Sequence, residues 1–230
     1  MKNDISVESN FDKKSSNYDV HYNGSMNAFS LEKQTRLNFT LSFLSSLPCF
    51  DKLDILDFGC GTGILAEKLF ERLNYKTYTG YDLSKKMISI CRTKYIGSHE
   101  AIFSNDKNDL TSYNIVVSLG VVGYQTNHYN FLLELTSYFK KNGPKYLIIT
   151  VGNQNFFRNF YDFLKSKFHS NKPVYKLTPN SDLNLVLMQK NGAILEEQYI
   201  FPFFGFMPQI NNIRSLRFLY LTKYLILKFN

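Results

Sequence analysis

Cysteine is scarce in this sequence: Cys49, Cys60 and Cys91 make an odd number, and no two stand in CxxC spacing. That count disfavours both a disulfide framework and a zinc site, and a reducing compartment fits it best. Histidine is almost as sparse, with four residues, and no Ser/His/Asp, Cys/His or metal-ligand set can be assembled from nearby spacings. No metal is therefore expected. Long apolar runs are missing too. A spanning helix needs roughly 20 apolar residues, and the nearest candidate, FLYLTKYLILKF, is interrupted by Thr222 and Lys223. The opening MKNDISVESN carries acids, which argues against a secretory signal and against an acid-free, Arg-rich transit pattern. The expected location is the cytoplasm. A dense basic cluster is also lacking: the net charge of +8 is spread from Lys13 to Lys228. A nucleic-acid footprint should instead be a patch or stripe, so nucleic acid is a disfavoured partner.

What is present is enough for one well-buried core. At 230 residues, 44% hydrophobic and 20% charged, the chain has an ordinary globular composition and is short for two domains. We read residues 1–230 as a single domain: an N-terminal helical arm over 1–50, a core over 51–151, and a second half over 152–230. From Asp54 short apolar runs alternate with longer amphipathic stretches, the order of βαβ units around a largely parallel sheet with helices on both faces. Seven strands are expected, beginning LDILDF, KTYTGYDL, Ala101 to Phe103, YNIVVSLGVV, YLIITV, AILEEQYIF and KYLILKF. Ser84 should cap the helix that carries Met87, Ile88 and Cys91. Phe131, Leu132, Leu135, Tyr138 and Phe139 form a helical stripe before Asn142-Gly143-Pro144, and Asn180 or Ser181 should cap a later helix. In the arm, Leu37, Leu41 and Leu44 predict a helix ended by Pro48.

The segment Asp57-Phe-Gly-Cys-Gly-Thr-Gly63 between the first strand and its helix is the most informative local feature. Glycines at 59, 61 and 63 permit a sharp turn and let a ligand approach where a Cβ would clash. The dinucleotide fingerprint GxGxxG does not fit. From Gly59 its third glycine falls on Ile64, and from Gly61 it falls on Ala66. Asp82 ends the second strand, where an acceptor-only carboxylate can take both hydroxyls of a ribose.

LDFGCGTGIL and TGYDLSKKMI together resemble the first and second motifs of class I S-adenosylmethionine-dependent methyltransferases, an acid followed by GxGxG and an acid after the next strand. The arm segment FDKKSSNYD resembles the FDxxAxxYD stretch of quinone-pathway, biotin-pathway and related small-molecule methyltransferases, with serine at 15 for the usual alanine. The resemblance runs over about residues 11 to 151. It implies a Rossmann-like three-layer sandwich whose last strand is antiparallel, with S-adenosylmethionine as the cofactor. It also implies a seat. Asp57, Gly59, Cys60, Gly61 and Gly63 would receive the amino-acid end and Asp82 the ribose, while Leu83 and Met87 would pack on adenine or ribose. Asp106 and Lys107, in FSNDKNDL, would meet the adenine edge, with Asp109 a rival for the acid. Ser118, Leu119 and Gly120 would pass beneath the methionine part. Phe11, Ser15 and Tyr18 fall at i, i+4 and i+7 on one helix face, and Tyr18 could bring its hydroxyl near the donor carboxylate.

Methyl transfer from a sulfonium needs alignment and exclusion of water more than covalent help. His21, Tyr22, Tyr124 and His128 are polar groups that could line the pocket, and none is assigned as a base, so no catalytic residue is named. The Asn/Asp-Pro-Pro-aromatic turn of many nucleic-acid amino-methyltransferases is missing. The expected activity is methylation of a small-molecule acceptor with an apolar or ring-containing body. The alternatives are an RNA or protein methyltransferase and a non-catalytic S-adenosylmethionine-binding module. Acceptor choice is expected to lie in two aromatic insertions, Asn153 to Pro173 and Pro202 to Tyr220, which could also touch a membrane surface. The oligomeric state is left open.

Overall fold

The computed structural model describes residues 2–15, 18–19, 28–72, 75–97, 101–152, 179–200 and 222–230. Two arm helices, α1 (Lys2–Lys14) and α2 (Ala28–Ser46), precede the alternating unit. That unit runs β1 (Asp54–Phe58), α3 (Ile64–Arg72), β2 (Thr77–Tyr81), α4 (Lys85–Lys94), β3 (Ala101–Ser104), β4 (Ile115–Ser118), α5 (His128–Ser137) and β5 (Lys145–Gly152). It continues after residue 178 with α6 (Asn180–Gln189), β6 (Gly192–Ile200) and β7 (Thr222–Phe229). The strands form one sheet in the order β3-β2-β1-β4-β5-β7-β6. Neighbours from β3 to β5 are parallel, and β7 runs against both β5 and β6. This is the Rossmann-like three-layer sheet with an antiparallel last strand.

Strand alternation builds the three layers. Ile55, Ile115, Val117, Ile148, Tyr224 and Ile226 face one way, onto a core completed by Leu37, Leu41 and Leu44 of α2, Leu65 and Leu69 of α3, and Ile88 and Cys91 of α4. The residues between them, Leu56, Val116, Leu147, Ile149, Leu225 and Leu227, face the other way onto Phe131, Leu132 and Leu135 of α5 and Leu183, Val186 and Leu187 of α6. Because both faces are covered, the central strands are apolar at almost every position. The leucine stripe of α2 contributes on the order of 1.5–3 kcal/mol per fully buried side chain. Two hydrogen bonds lock that helix to β7, Thr222 Oγ1 to Glu32 Oε1 at 2.9 Å and Tyr224 OH to Thr40 Oγ1 at 3.2 Å.

Several local expectations are corrected. Helix α1 stops at Lys14, so Phe11, Ser15 and Tyr18 do not share one helical face. Ser15 Oγ turns back to the Asp12 carbonyl at 2.9 Å, and the Phe11 and Tyr18 rings still meet edge-on at 6.5 Å. Helix α5 ends at Ser137 rather than Phe139, because Phe139 leaves it to bridge Tyr113. Helix α6 is preceded by Pro179 at its N-cap without a side-chain cap, and Asn180 Oδ1 accepts from Lys223 Nζ instead. Ser84 does cap α4, accepting the Met87 amide at 3.2 Å. Among the described residues no helix is long and apolar enough to cross a membrane.

The order places a topological switch between β1 and β4: the chain leaves β1 for β2 on one side and returns as β4 on the other. In open α/β sheets ligands sit outside the carboxyl ends of the strands at such a point. The turns after β1, β2, β3 and β4 hold every core-motif residue that the sequence singled out except Asp57 and Ser118, which lie in β1 and β4, and Met87, which lies in α4.

Candidate functional site

The turn after β1 is held open by its own geometry. Gly59, Gly61 and Gly63 have φ of 91°, 56° and 79°, the left-handed region that side chains with a Cβ rarely adopt. The amides of Gly59 and Cys60 both donate to the Tyr81 carbonyl, at 2.7 and 3.0 Å, which draws the turn across the end of β2. At Gly61 space matters as well as φ, because a Cβ there would lie 3.1 Å from the Tyr18 ring.

Asp82 joins two turns. Its Oδ2 accepts the Gly61 amide and its Oδ1 the Ser84 amide, each at 2.9 Å. Burial raises its carboxyl pKa, the two backbone donors work against that, and the nearby Asp12 reinforces it. Each carboxylate oxygen keeps a second lone pair for a ligand hydroxyl. Leu83 beside it is 36% exposed, whereas Met87 is 1% exposed and belongs to the interior.

Asp57 lies deeper. Tyr78 OH donates to its Oδ2 at 2.6 Å. Burial pushes the carboxyl up to about 7, the Tyr78 bond opposes this, Asp82 adds to it, and Arg36 opposes it. Cys60 and Cys91 face each other behind the turn, with Cys91 Sγ 3.2 Å from the Gly61 carbonyl. Burial, with Cys91 next, raises the Cys60 thiol well above its ordinary value. Cys60 is therefore a neutral packing thiol.

The other two turns are fixed in the same way. Ser104 Oγ donates to Asp109 Oδ2, and Asp106 caps the short turn after β3 by accepting the Asn108 amide at 2.9 Å. Both acids are exposed, and both are tied to the buried Ser104, Asp109 through its carboxylate and Asp106 through its backbone. Lys107 Nζ stands 5.3 Å from the Phe58 ring centre and pairs with Glu134. At the end of β4, Ser118 Oγ donates to the Phe58 carbonyl at 3.0 Å, and beyond it the Gly120 amide donates to Thr150 Oγ1 at 2.6 Å.

Above these turns lies a cavity whose wall includes Tyr18, Lys33, Arg36, Asp57, Gly59 and Leu119. The arm closes over it. Ser84 Oγ donates to Asp12 Oδ1 and Thr62 Oγ1 to Asp19 Oδ1, so both glycine-turn and strand-end motifs are bonded to the arm. Phe11 packs edge-on against Tyr124 at 5.5 Å. His128, the first residue of α5, is buried, and His21 and Tyr22 lie outside the described residues, as do both aromatic insertions.

The site thus gathers Tyr18, Asp57, Gly59, Gly61, Gly63, Asp82, Leu83, Asp106, Lys107, Ser118, Leu119 and Gly120 at one end of the sheet. Sequence reasoning missed Lys33, Arg36, Asp12 and Asp19. A signal for Arg36 was available: it neighbours Leu37 on the leucine stripe of α2, and a cation placed on an apolar face asks for a partner or a ligand.

No curated protein matches the chain in sequence. A family profile described as a methyltransferase domain matches residues 31–192. Among solved structures the chain is similar to magnesium protoporphyrin IX methyltransferase from Synechocystis PCC 6803 with bound SAH, at 16% identity and a TM-score of 0.73 over 99% of this chain and 100% of that one. It is also similar to the N-methyltransferase NodS from Bradyrhizobium japonicum WM9 in complex with S-adenosyl-L-homocysteine, at 11% identity and a TM-score of 0.63 over 97% of each chain. The plantazolicin methyltransferase BpumL in complex with a triazolic desmethylPZN analog and SAH matches at 18% identity and a TM-score of 0.60, over 100% of this chain and 97% of that one. At these identities the structural likenesses establish the fold; with the profile covering most of the sequence, the chain belongs to the methyltransferase-domain family, the class I S-adenosylmethionine-dependent methyltransferases.

Proposed function

We propose that this chain moves the methyl group of S-adenosylmethionine to a small-molecule acceptor with an apolar or ring-containing body. The observation that carries the reading is the Asp82–Gly61 bond, which sets an acceptor-only carboxylate and a Cβ-free turn side by side at the switch point of the sheet. The residues fit the donor: the turn has room where a side chain would strike Tyr18, and the cavity beside it carries both signs of charge. When bound, S-adenosylmethionine supplies a methyl group already activated on a sulfonium. Asp82 would hold the ribose hydroxyls, with Leu83, Asp106 and Lys107 along the adenine. Asp57, the glycine turn and Tyr18 would hold the amino-acid end, and the backbone of Ser118, Leu119 and Gly120 would border the methionine part.

The chain's share of catalysis is alignment and dryness. The arm, latched through Asp12 and Asp19, covers the turn and limits water around the transferring carbon. Phe11, Tyr18 and Tyr124 give the acceptor an aromatic wall. A ring-bearing acceptor is also supported by two structural neighbours, a magnesium protoporphyrin IX methyltransferase and the plantazolicin methyltransferase BpumL bound to a triazolic analog. Residues 1–230 form one unit in this reading, with the donor seat in 51–151 and acceptor choice helped by 152–230. Incubating purified protein with methyl-labelled donor and cell extract, then identifying the labelled product, tests it. A labelled small molecule is expected. Label in RNA or protein alone, or no transfer at all, would overturn the acceptor reading.

A further inference from the structure

The register of β1 on β2 sets Asp57 opposite Gly80 and Ile55 opposite Tyr78. Asp57 stands two residues from Ile55, so it points to the face of the sheet that Ile55 and Tyr78 share. Gly80 presents no side chain there, and the diagonal neighbour Tyr78 reaches across to donate its hydroxyl to Asp57 Oδ2 at 2.6 Å. Tyr78 is fully buried, with its ring centre 5.8 Å from that of Phe103 and 6.5 Å from that of Tyr75. The hydroxyl therefore meets the acid from the core, whereas Asp57 itself lies in the cavity wall with Tyr18. A strand covered on both faces calls for an apolar side chain at such a position. Tyrosine adds one polar atom, and that atom bonds the acid beside the glycine turn.

We propose that Tyr78 is a positioning residue for donor binding: its hydroxyl holds Asp57 from behind and keeps it an anion, so that the carboxylate can meet the ammonium of the donor's amino-acid end. This rests on the donor reading above and adds to it a residue that lies behind the seat. The balance of influences at Asp57 supports it. Burial pushes the carboxyl up to about 7, the Tyr78 bond opposes this first, Asp82 adds to it, and Arg36 opposes it. Burial and then the charge of Asp57 hold the phenol well above its ordinary value, so it stays a donor across the neutral range. Among the described residues Asp82, Arg36, Cys60 and Cys91, with Lys33 and Tyr18 in the cavity wall, are the other charged and titratable groups around the pair. Removing the hydroxyl takes away a bond made to the charged form of Asp57, and the neutral acid that results has no charge to offer an ammonium.

The test joins NMR titration of the full chain, carbon-labelled at Asp carboxyls and Tyr Cζ, with calorimetric binding of S-adenosylmethionine and of its analogue lacking the α-amino group. Asp57 is identified by the signal that Asp57→Asn removes. In wild type one Tyr Cζ signal should move with the midpoint of the Asp57 carboxyl, a readout that does not depend on how a Tyr78 variant folds. Tyr78→Phe keeps the ring and should raise the Asp57 midpoint by about one to two pH units, the worth of one hydrogen bond to a charged group. At about pH 7 the loss of ionised Asp57 should weaken S-adenosylmethionine roughly five- to fiftyfold and leave the analogue within about twofold. In the Asp57→Asn background the same substitution should change the affinity of neither ligand. An unmoved Asp57 midpoint, no Tyr signal that follows it in wild type, or equal losses for both ligands would overturn the assignment. If wild type binds neither ligand, or Asp82→Asn binds as wild type does, the donor reading fails and this proposal with it. If Asp82→Asn loses both ligands while Tyr78→Phe loses neither, only the Tyr78 assignment falls.

Discussion

Gly120, with φ of 76°, lies directly against the Arg36 guanidinium: a Cβ at position 120 would stand 2.7 Å from Nη1. The turn after β4 and the arm helix α2 therefore meet at a position that only glycine fills without displacement. Gly120→Ala must shift Arg36 and carry a left-handed backbone, the latter at a cost of about 1–2 kcal/mol. We expect a lower melting temperature together with weaker donor binding. A variant that melts lower but binds the donor as wild type does would show that Arg36 is not placed by Gly120.

Gly61→Val should abolish donor binding. A branched side chain is disfavoured at φ 56° and would occupy the space between the turn and Tyr18. The readout is the donor-induced rise in melting temperature, which ligand binding to the folded state produces. It should be present in wild type and missing in the variant.

Asp82→Ala removes the acceptor for two backbone amides as well as the ribose partner, so it should lower stability and affinity together. Asp82→Asn keeps one acceptor oxygen and should separate the two effects. Donor affinity should fall on the order of ten- to a hundredfold in the asparagine variant with a smaller change in melting. Unchanged affinity by calorimetry would remove Asp82 from the donor seat.

Asp57 gives donor binding a limb on the acid side. Its buried carboxyl is pushed up to about 7, so below that pH the folded chain carries it protonated and must release the proton to face a ligand ammonium. Affinity should fall as pH drops below about 7, and Asp57→Asn should flatten that limb. The sign for stability follows from the same shift. Between the ordinary carboxylate range and about 7 the folded state binds a proton that the unfolded chain has lost, so Asp57 makes stability decline with rising pH through that window. Denaturant melts from pH 4 to 7 should show a shallower decline in Asp57→Asn.

Tyr124→Ala should lower methyl-acceptor turnover far more than donor affinity, because Tyr124 packs on Phe11 of the arm and makes none of the bonds that hold Asp82 and Gly61. Equal losses of donor binding and melting temperature would identify it as structural packing instead.

The sequence alone determined the parts that depend on local rules. Strand and helix alternation dictated the layered sheet, three glycines after β1 dictated a turn with positive φ, and Ser84 was a helix cap because its hydroxyl lies three residues before an amide that needs an acceptor. Only the tertiary structure decided which distant residues share a site. It buried Met87 while leaving Leu83 at the surface, and ended α1 before Tyr18. It also brought Lys33 and Arg36 from the arm to the wall beside Asp57, a juxtaposition fixed by how α2 packs across the sheet on Leu37, Leu41 and Leu44. The physical reason is range. Backbone conformation and capping are settled within a few residues, whereas the field at a buried carboxylate depends on charges that the folded chain gathers from anywhere along its length.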